Sequence, residues 1–330
     1  MSKVLITGSA GLLGSHFTRF LLDKGFYEVV GLDNLTGGYA DFTDERLKFY
    51  DIDLNDTEAL DEMFKKEKFD YVYHFAAYAA EGLSPFIRNF NYTNNLVCSV
   101  NIINNCIKYD VKKLIFTSSM AVYGHGIPPF TEEQVPTPAD PYGIAKYSVE
   151  MDLHQAHEQF GLDFAIARPH NVVGIYQNIW DKYRNVIGIW IRNTLNKEPI
   201  LVYGDGMQKR AFSDIKSYME PFEKLMTQNS GETFNIGSDR EYTLLEVAQM
   251  VQRIGKEFGY DPEIKHVESR VEVKDAYCNH DKAKKLLGFK DVTDLEPLLR
   301  EMFIWAKDQP NREIKKMEYE IEKRIYSFWK

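Results

Sequence analysis

The sequence predicts an α/β protein built on a parallel β-sheet, and two observations support this prediction. In the first half of the 330-residue chain, short apolar runs rich in β-branched residues alternate with longer segments whose apolar residues recur every three or four positions. Strands that alternate with helices in this way form βαβ units, whose strands lie parallel in one sheet. In addition, a glycine-rich turn directly follows the first apolar run, where such a unit enters its first helix.

Six strands and four crossover helices are predicted in this half of the chain. Each predicted strand is a short apolar run, and each predicted helix carries apolar side chains at helical spacing. The predicted strands are residues 3–7, 28–32, 47–51, 71–75, 113–118 and 163–168. The predicted helices are residues 14–24, 57–66, 91–109 and 143–160.

The sequence pattern changes after Arg168 and Pro169, where longer loops rich in asparagine, glycine and aromatic residues begin. We therefore expect residues 1–168 to form the sheet domain. Residues 169–330 are expected to form mainly a smaller α/β lobe, with some segments returning to the sheet. A helical pattern covers residues 244–258 of this lobe. Because no low-complexity linker separates the two halves, we expect one contiguous body with a cleft between them.

A charged tail, residues 311–330, follows the last helical pattern. Four of its apolar residues fall on one stripe when the segment is drawn as a helix, so the spacing predicts an amphipathic helix that docks on the body. These residues are Ile314, Met317, Ile321 and Ile325.

The composition excludes several classes of function. The net charge of −9 argues against a nucleic-acid partner, because binding to phosphate backbones needs a concentrated basic face. No apolar run approaches the roughly 20 residues that span a bilayer, and residues 1–14 lack the regions of a signal peptide. Cys98, Cys106 and Cys278 are widely spaced and match no metal-ligand pattern. We expect a cytoplasmic protein with reduced thiols and with no membrane, nucleic-acid or metal partner.

The turn after the first predicted strand has the spacing of a phosphate-binding loop. It spans residues 7–14, with the sequence TGSAGLLG, and it opens a predicted helix. Glycines permit the tight turn and let backbone N–H groups approach a pyrophosphate, while the helix N-terminus supplies a partial positive charge. The candidate dinucleotide contacts in this turn are Gly8, Ala10, Gly11, Leu12, Leu13 and Gly14.

Two acidic residues near later strand ends suit the adenosine half of a dinucleotide. Asp33 follows the second predicted strand, nineteen residues after Gly14, where its carboxylate can accept hydrogen bonds from a ribose. Because a carboxylate there repels a 2′-phosphate, NAD is favoured over NADP. Asp53 follows the third predicted strand and is placed to meet the adenine.

A tyrosine and a lysine one helical turn apart form the candidate catalytic pair. Tyr142 and Lys146 begin a predicted helix after a proline-rich loop, so they share one helix face. A tyrosine normally loses its proton near pH ~10, and it acts as a base at neutral pH only where positive charge stabilises the phenolate. Lys146 supplies such charge. Ser118 and Ser119 end the fifth predicted strand at the sheet edge where ligands bind, so a hydroxyl there can hydrogen-bond the reacting oxygen.

Together these motifs resemble those of the extended short-chain dehydrogenase/reductase family, in its nucleotide-sugar epimerase and dehydratase branch. The resemblance covers most of the chain and implies a Rossmann-type doubly wound parallel sheet of seven strands, with a smaller C-terminal α/β substrate lobe. It also implies NAD as the cofactor and a nucleotide-diphosphate sugar as the substrate. The segments that carry it are residues 7–14, 33–34, 53–54, 74–77 and 118–124, the pair Tyr142 and Lys146, and residues 168–169.

The resemblance further implies roles for individual residues. Tyr142 would act as the base, Lys146 as its electrostatic partner, and Ser119 as the group that binds the reacting hydroxyl. Many relatives pair two helices per subunit, which implies a homodimer through residues 91–109 and 142–160. Substrate contacts are implied for Ser119, Asn171, Arg210 and Arg270. Further cofactor contacts are implied for Asp33, Asn34, Asp53, Leu54, Phe75, Ala76, Ala77, Asn94, Thr117, Tyr142, Lys146 and Pro169.

The two residues after Ser119 favour one reaction of this branch. Its 4,6-dehydratases place an Asp-Glu pair there to eliminate water, whereas this chain has Met120 and Ala121, which exchange no proton. This favours a 4-epimerase that works through a transient 4-keto sugar. A nucleotide-sugar or nucleotide-heptose 4-dehydrogenase that releases the keto product stays open, because it needs the same catalytic residues. A non-catalytic NAD-binding scaffold is the third alternative, although such a protein should have lost Tyr142 or Lys146.

The substrate side departs from the family pattern at two places. Lys216 and Ser217 stand where the family has an Asp-Asp pair, and the segment 78–79 lacks a lysine that the family's galactose epimerase places near its substrate phosphates. The nucleotide and the sugar therefore stay open. Further residues that could face the sugar are Glu81, Gly82, Ser84, His125 and His170.

Overall fold

A seven-stranded parallel sheet forms the centre of the protein, in a computed structural model that describes residues 1–330. In chain order the strands of the whole molecule are β1 (Ser2–Thr7), β2 (Tyr27–Asp33), β3 (Lys48–Asp51), β4 (Tyr71–His74), β5 (Lys113–Thr117), β6 (Phe164–Pro169), β7 (Val172–Val173), β8 (Ile200–Tyr203), β9 (Lys209–Ala211), β10 (Ser213–Asp214), β11 (Thr233–Ile236), β12 (Glu241–Thr243), β13 (Ile264–Val267) and β14 (Asp275–Ala276). The central sheet has the order β11-β6-β5-β4-β1-β2-β3. The order reverses between β1 and β4, as in Rossmann-type sheets.

Helices cover both faces of this sheet. In chain order the helices are α1 (Leu12–Lys24), α2 (Thr57–Glu67), α3 (Arg88–Tyr92), α4 (Cys98–Lys108), α5 (Pro141–Phe160), α6 (Val186–Leu195), α7 (Met219–Thr227), α8 (Leu244–Glu257), α9 (Asp281–Leu287) and α10 (Leu295–Lys307). Alternate side chains of the strands pack with α1, α7 and α9 on one face and with α2, α4 and α5 on the other. The sheet is therefore doubly wound, as the sequence and its resemblance predicted. None of the helices is both long and apolar enough to cross a membrane.

All six strands predicted in the first half are present, with ends that differ by at most one residue. The seventh strand is β11, which comes from the second half of the chain and pairs parallel with β6. Its residues Phe234 and Ile236 are buried beside the helices of one sheet face. The predicted helix 91–109 begins earlier than expected, because α3 and α4 are joined through a π-helical stretch, Thr93–Val97.

The second lobe has its own apolar core, formed chiefly by α6, α8 and α10. Helix α8 begins with a capping box, in which the Thr243 hydroxyl accepts from the backbone N–H of Glu246 and the Glu246 carboxylate accepts from that of Thr243. This capping box marks the start of the helix that apolar spacing predicted at residues 244–258. Small sheets, β12-β9-β14 and β13-β8, complete the lobe.

The predicted helix in the tail is wrong. Residues 311–330 follow an irregular path, and only Ser327–Trp329 form a single 3₁₀ turn. Ile321, on the expected apolar stripe, is 40% exposed, whereas Trp329 off that stripe is buried. Packing of the tail aromatics against distant parts of the chain, rather than helical periodicity, therefore determines its path.

Candidate active site

A deep cleft opens at the carboxyl ends of the central strands, between the sheet and the second lobe. Its volume is about 600 Å³. Open α/β sheets bind their ligands at this edge. Every residue assigned above to catalysis, cofactor or substrate lines the cleft except Ala10. Ala10 instead donates its backbone N–H to the Asp33 carboxylate at 3.0 Å.

The glycine turn at the floor of the cleft leaves no room for side chains. A Cβ on Gly8, whose φ is +71°, would lie 2.7 Å from the backbone N of Ala76, and a Cβ on Gly14 would lie 2.1 Å from the carbonyl O of Gly8. The N-cap of α1 is Gly11, no side chain caps this helix, and its first turn holds no acidic residue. The N–H groups at this helix end are therefore free to meet an anion.

Two acidic residues stand at the ends of β2 and β3. Asp33 is buried, and it accepts from Ala10 as above and from the backbone N–H of Leu35 at 2.8 Å. The Asp53 carboxylate accepts from the side-chain amide of Asn34 at 2.9 Å and from the backbone N–H of Asn55 at 2.8 Å. These bonds fix both carboxylates at the same edge of the cleft.

The start of α5 positions Tyr142 and Lys146. Asp140 caps the helix, since its carboxylate accepts from the backbone N–H of Tyr142 at 2.9 Å and of Gly143 at 3.0 Å. One turn later, the Lys146 ammonium donates to the carbonyl O of Thr117 at 2.8 Å and lies 5.9 Å from the centre of the Tyr142 ring. The strand end of β5 and the first turns of α5 thus hold both side chains on one wall.

Burial shifts the pKa of both groups. It raises the pKa of Tyr142 above its ordinary value, the negative charge of Glu81 adds to this rise, and the nearby Ser119 hydroxyl opposes it. Burial lowers the pKa of Lys146 to about 8. At neutral pH the lysine therefore still carries its proton in most molecules, while the tyrosine is a phenol until further positive charge arrives.

Polar atoms without partners lie between these groups and the glycine turn. The hydroxyl oxygens of Thr117 and Ser118 are buried and form no hydrogen bond. Ser119 accepts from the backbone N–H of Ala121 at 3.1 Å, and its hydroxyl is free to donate. Unpartnered buried hydroxyls are costly, so their position in the cleft indicates a site for a polar ligand.

The far end of the cleft carries two arginines that share one carboxylate. Arg210 and Arg270 each donate to the same oxygen of Glu272 at 3.1 Å. Arg270 also lies over the ring of Tyr203, with 4.4 Å to the ring centre. Asn171 has a φ of +40° and donates its side-chain amide to the carbonyl O of Ala211 at 2.8 Å. We call this part of the cleft, which contains the guanidinium groups of Arg210 and Arg270, its cationic end.

Sequence reasoning missed several residues that line the cleft. Arg184, for example, lies over the ring of Tyr78, with 4.4 Å to its centre, and donates to the Asp181 carboxylate at 2.8 Å. No spacing in the sequence signals the contact with Tyr78, because Tyr78 and Arg184 are far apart in sequence and meet only through the fold. The missed residues include Arg184, Tyr203, Glu272, Phe328 and Trp329.

The residues proposed to face the sugar divide into two groups. Glu81, Gly82 and His170 line the cleft, although His170 is buried in a stack with His280. Ser84 and His125 do not line it, so the expectation that they face the sugar is wrong. The Ser84 hydroxyl instead accepts from the backbone N–H of Tyr142 at 3.2 Å and donates to the carbonyl O of Glu81 at 2.8 Å.

Comparisons with known proteins agree with this architecture. The model of the NAD dependent epimerase/dehydratase family matches residues 4–237. A UDP-glucose 4-epimerase of Caenorhabditis elegans is 30% identical over an alignment that covers 93% of this chain and 98% of that protein. A putative UDP-glucose 4-epimerase of Methanocaldococcus jannaschii is 31% identical, with 92% of this chain and 98% of that protein covered.

Two solved structures are similar over nearly the whole chain. The UDP-glucose 4-epimerase of Thermotoga maritima with UDP-glucose has a TM-score of 0.87 and 30% identity, covering 92% of this chain and 98% of its own. The UDP-glucose 4-epimerase of Thermus thermophilus in complex with NAD has a TM-score of 0.86 and 26% identity, covering 93% of this chain and 99% of its own.

Proposed function

The chain belongs to the NAD-dependent epimerase/dehydratase family, and from this premise we propose that it is an NAD-dependent nucleotide-sugar 4-epimerase. It oxidises the C4 hydroxyl of the sugar and then reduces the 4-keto sugar from its other face. The relatives named UDP-glucose 4-epimerase favour a UDP-hexose as the substrate. The observation that carries the proposal is the convergence of Tyr142, Lys146 and the glycine turn on one cleft.

The cleft fits NAD at its sheet end. The close approach at Gly8 and Gly14 and the uncapped start of α1 suit a pyrophosphate, which needs bare backbone N–H groups. Asp33 is placed for the adenosine ribose and Asp53 for the adenine. The unpartnered hydroxyls of Thr117 and Ser118 mark the nicotinamide end. NAD, when bound, reversibly accepts the C4 hydride.

We assign proton transfer to Tyr142. As the phenolate, its oxygen takes the proton of the C4 hydroxyl and later returns it, while the Ser119 hydroxyl hydrogen-bonds the same sugar oxygen. Lys146 supports the phenolate by its positive charge, at the 5.9 Å separation from the tyrosine ring described above. Because burial keeps the pKa of Tyr142 high, positive charge on an oxidised cofactor beside the ring would be needed to stabilise the phenolate.

Dehydration is disfavoured by the side chains that follow Ser119. Met120 is buried in an apolar cluster, and Ala121 carries no proton-exchanging group. Elimination of water needs an acid and a base next to the reacting carbons. The residues that follow Ser119 therefore favour hydride removal and return at C4 over dehydration.

For the substrate we propose that Asn171, Arg210 and Arg270 hold the diphosphate. A guanidinium can bind two phosphate oxygens at once. When no phosphate is bound, both arginines donate to the Glu272 carboxylate. Return of the hydride to the other face requires that the keto sugar turn over. Tight binding of the diphosphate together with weak binding of the sugar permits this rotation.

The remaining expectations concern assembly and compartment. We propose a homodimer through residues 91–109 and 142–160, because both segments carry exposed apolar residues, with Val97 47%, Met151 51% and Phe160 64% exposed. We also propose a cytoplasmic enzyme. Its three cysteines are buried and form no disulfide, which fits a reducing compartment.

A substrate panel tests the proposed reaction. The purified holoenzyme is incubated with UDP-, GDP-, CDP- and dTDP-hexoses, and products are identified by NMR while absorbance reports NADH. We expect inversion at C4 with a UDP-hexose and no net NADH. Accumulation of NADH with a keto sugar, or turnover only when an oxo-acid is added, would instead establish the 4-dehydrogenase. A holoenzyme that converts none of these sugars would support the scaffold alternative.

A further inference from the structure

The tail, residues 311–330, connects the two ends of the cleft. Near its start, the Arg312 guanidinium lies 3.9 Å from the centre of the Tyr39 ring, and the Lys315 ammonium donates to the carbonyl O of Thr36 at 3.4 Å. Both contacts are made with the loop that follows β2 and its Asp33. The tail then continues towards the arginines of the other end.

The last turn of the tail is fixed by several hydrogen bonds. Ser327 donates its backbone N–H to the Glu268 carboxylate at 2.6 Å, and the Tyr326 hydroxyl accepts from the backbone N–H of Val271 at 3.0 Å. The carbonyl O of Trp329 accepts from the Lys182 ammonium at 2.7 Å and from the Tyr319 hydroxyl at 2.9 Å. These partners come from separate segments, so the turn occupies one defined position.

The indole of Trp329 lies next to the cationic end of the cleft. It is buried, with ring-centre distances of 5.4 Å to Tyr183 and 6.0 Å to Phe86. A Cβ placed on Gly82 would lie 2.8 Å from a terminal nitrogen of Arg270 and 3.6 Å from the edge of the Trp329 indole. The indole and the guanidinium therefore border the same glycine.

Phe328 continues this aromatic surface. Its ring lies 4.6 Å from that of Tyr203, the residue over which Arg270 also packs. Both Phe328 and Trp329 line the cleft, although they are distant in sequence from every motif of the family. Their positions place aromatic faces beside Arg270, one of the groups that we assign to the diphosphate end.

We propose that Phe328 and Trp329 form a wall of the nucleotide-sugar site, so that these two residues contribute to affinity for the substrate and not for NAD. This inference rests on the proposed function, because that function places the diphosphate at Arg210 and Arg270. Aromatic rings present a large apolar face at little cost in conformational freedom, and they pack well on the apolar faces of sugars and bases. The bound ligand is thus a nucleotide sugar held between the tail and the arginines.

The test compares Trp329→Ala and Phe328→Ala with Ile321→Ala, a tail residue that is 40% exposed and does not line the cleft. Each holoenzyme is titrated with UDP-, GDP-, CDP- and dTDP-glucose by calorimetry, and its NAD content is measured. We expect roughly tenfold weaker nucleotide-sugar binding for Trp329→Ala, with NAD content unchanged and with the control at wild-type affinity. Wild-type affinity in Trp329→Ala would overturn the inference.

Because loss of the buried indole could loosen the tail, the wild-type holoenzyme supplies a second test. Saturation with the bound nucleotide sugar is expected to slow hydrogen exchange of the backbone amides of residues 324–330. Unchanged exchange in this segment, in a protein that binds the ligand, would overturn the inference and leave the proposed function intact. Failure of the wild-type holoenzyme to bind any of the four nucleotide sugars would overturn the proposed function itself.

Discussion

At the scale of single residues, the charges around Tyr142 determine when the phenol can act as a base. Burial and Glu81 hold its pKa above the ordinary value, and burial lowers the pKa of Lys146 to about 8. The Lys146 ammonium is thus one cation near the phenol at neutral pH. We therefore expect Tyr142 to act as a base only when NAD is bound and adds a second positive charge.

The first prediction concerns the phenol itself. Tyr142→Phe removes the proton-transferring oxygen and keeps the ring, so we expect kcat to fall by about 10²–10⁴-fold. NAD content should stay close to that of the wild type, because the variant loses one hydroxyl while the ring, the glycine turn and the other cofactor contacts remain. Steady-state kinetics of the holoenzyme provide the measurement. Tyr147→Phe, on the same helix but outside the cleft, is the matched control, and full turnover by Tyr142→Phe would refute the catalytic assignment.

The second prediction concerns Glu81, which faces the cleft with Asp140, Arg210, Arg270 and Glu272 around it. The side chain of Glu81 faces the cleft, which lies deep in the molecule. Its separation from bulk water, together with the negative charge of Asp140, raises the pKa of its carboxyl. Its negative charge opposes formation of the phenolate. Removal of that charge should therefore lower the pKa of Tyr142.

The measurement is the pH dependence of kcat/KM for Glu81→Gln. Because the base must be deprotonated, the acidic limb of the profile should move to lower pH. Glu133→Gln, at an exposed position outside the cleft, should leave the limb in place. A limb that stays or moves to higher pH in Glu81→Gln would show that this carboxylate does not act on Tyr142.

At the scale of elements, Tyr142 lies in the first turn of α5. The Asp140 cap of this helix determines the position of that turn. Asp140→Ala removes the acceptor of two backbone N–H groups, at 2.9 and 3.0 Å, and should cost about 1 kcal/mol of stability. Asp140→Asn keeps a capping oxygen and serves as the control. Thermal unfolding of both holoenzymes is the measurement, with a decrease in Tm of about 2 °C expected only for the alanine variant. Equal Tm values would argue against the cap.

Elements with local signals could be predicted from the sequence, and those fixed by distant contacts could not. The strands of the first half and α8 follow from apolar periodicity and from the capping residues around Thr243. The tail also showed helical periodicity, but its backbone donates instead to the carbonyl O of Phe86, from Glu320 at 2.9 Å and from Ile321 at 3.2 Å. A contact across 234 residues leaves no trace in local spacing.

At the scale of the whole molecule, the candidate site contains residues that local sequence patterns predict and residues that only distant contacts bring in. The glycine turn and the pair Tyr142 and Lys146 depend on short spacings, so the sequence predicted their place in the cleft. Glu272, Arg184 and Trp329 reach the cleft only because the second lobe and the tail fold onto the sheet. The sequence therefore predicts the cofactor end of the cleft better than the substrate end.

The prediction at this scale concerns the proposed homodimer. A charge in the exposed apolar surface of residues 91–109 and 142–160 should separate the subunits, because burying it unpaired is costly. Met151→Lys is therefore expected to sediment as a monomer in analytical ultracentrifugation. Ile127→Lys, which is 80% exposed and outside both helices, is the control and should stay dimeric. A monomeric wild-type protein, or a dimeric Met151→Lys, would contradict this interface.

The most direct test of the central claim uses UDP-galactose with deuterium at C4. The holoenzyme is incubated with this sugar, and the product is identified by NMR and mass spectrometry. The account predicts UDP-glucose that retains deuterium at the inverted C4 without net reduced cofactor, because the hydride removed from the carbon is returned to it. Release of a 4-keto sugar with reduced cofactor, or no conversion by a protein that is fully loaded with NAD, would contradict the account.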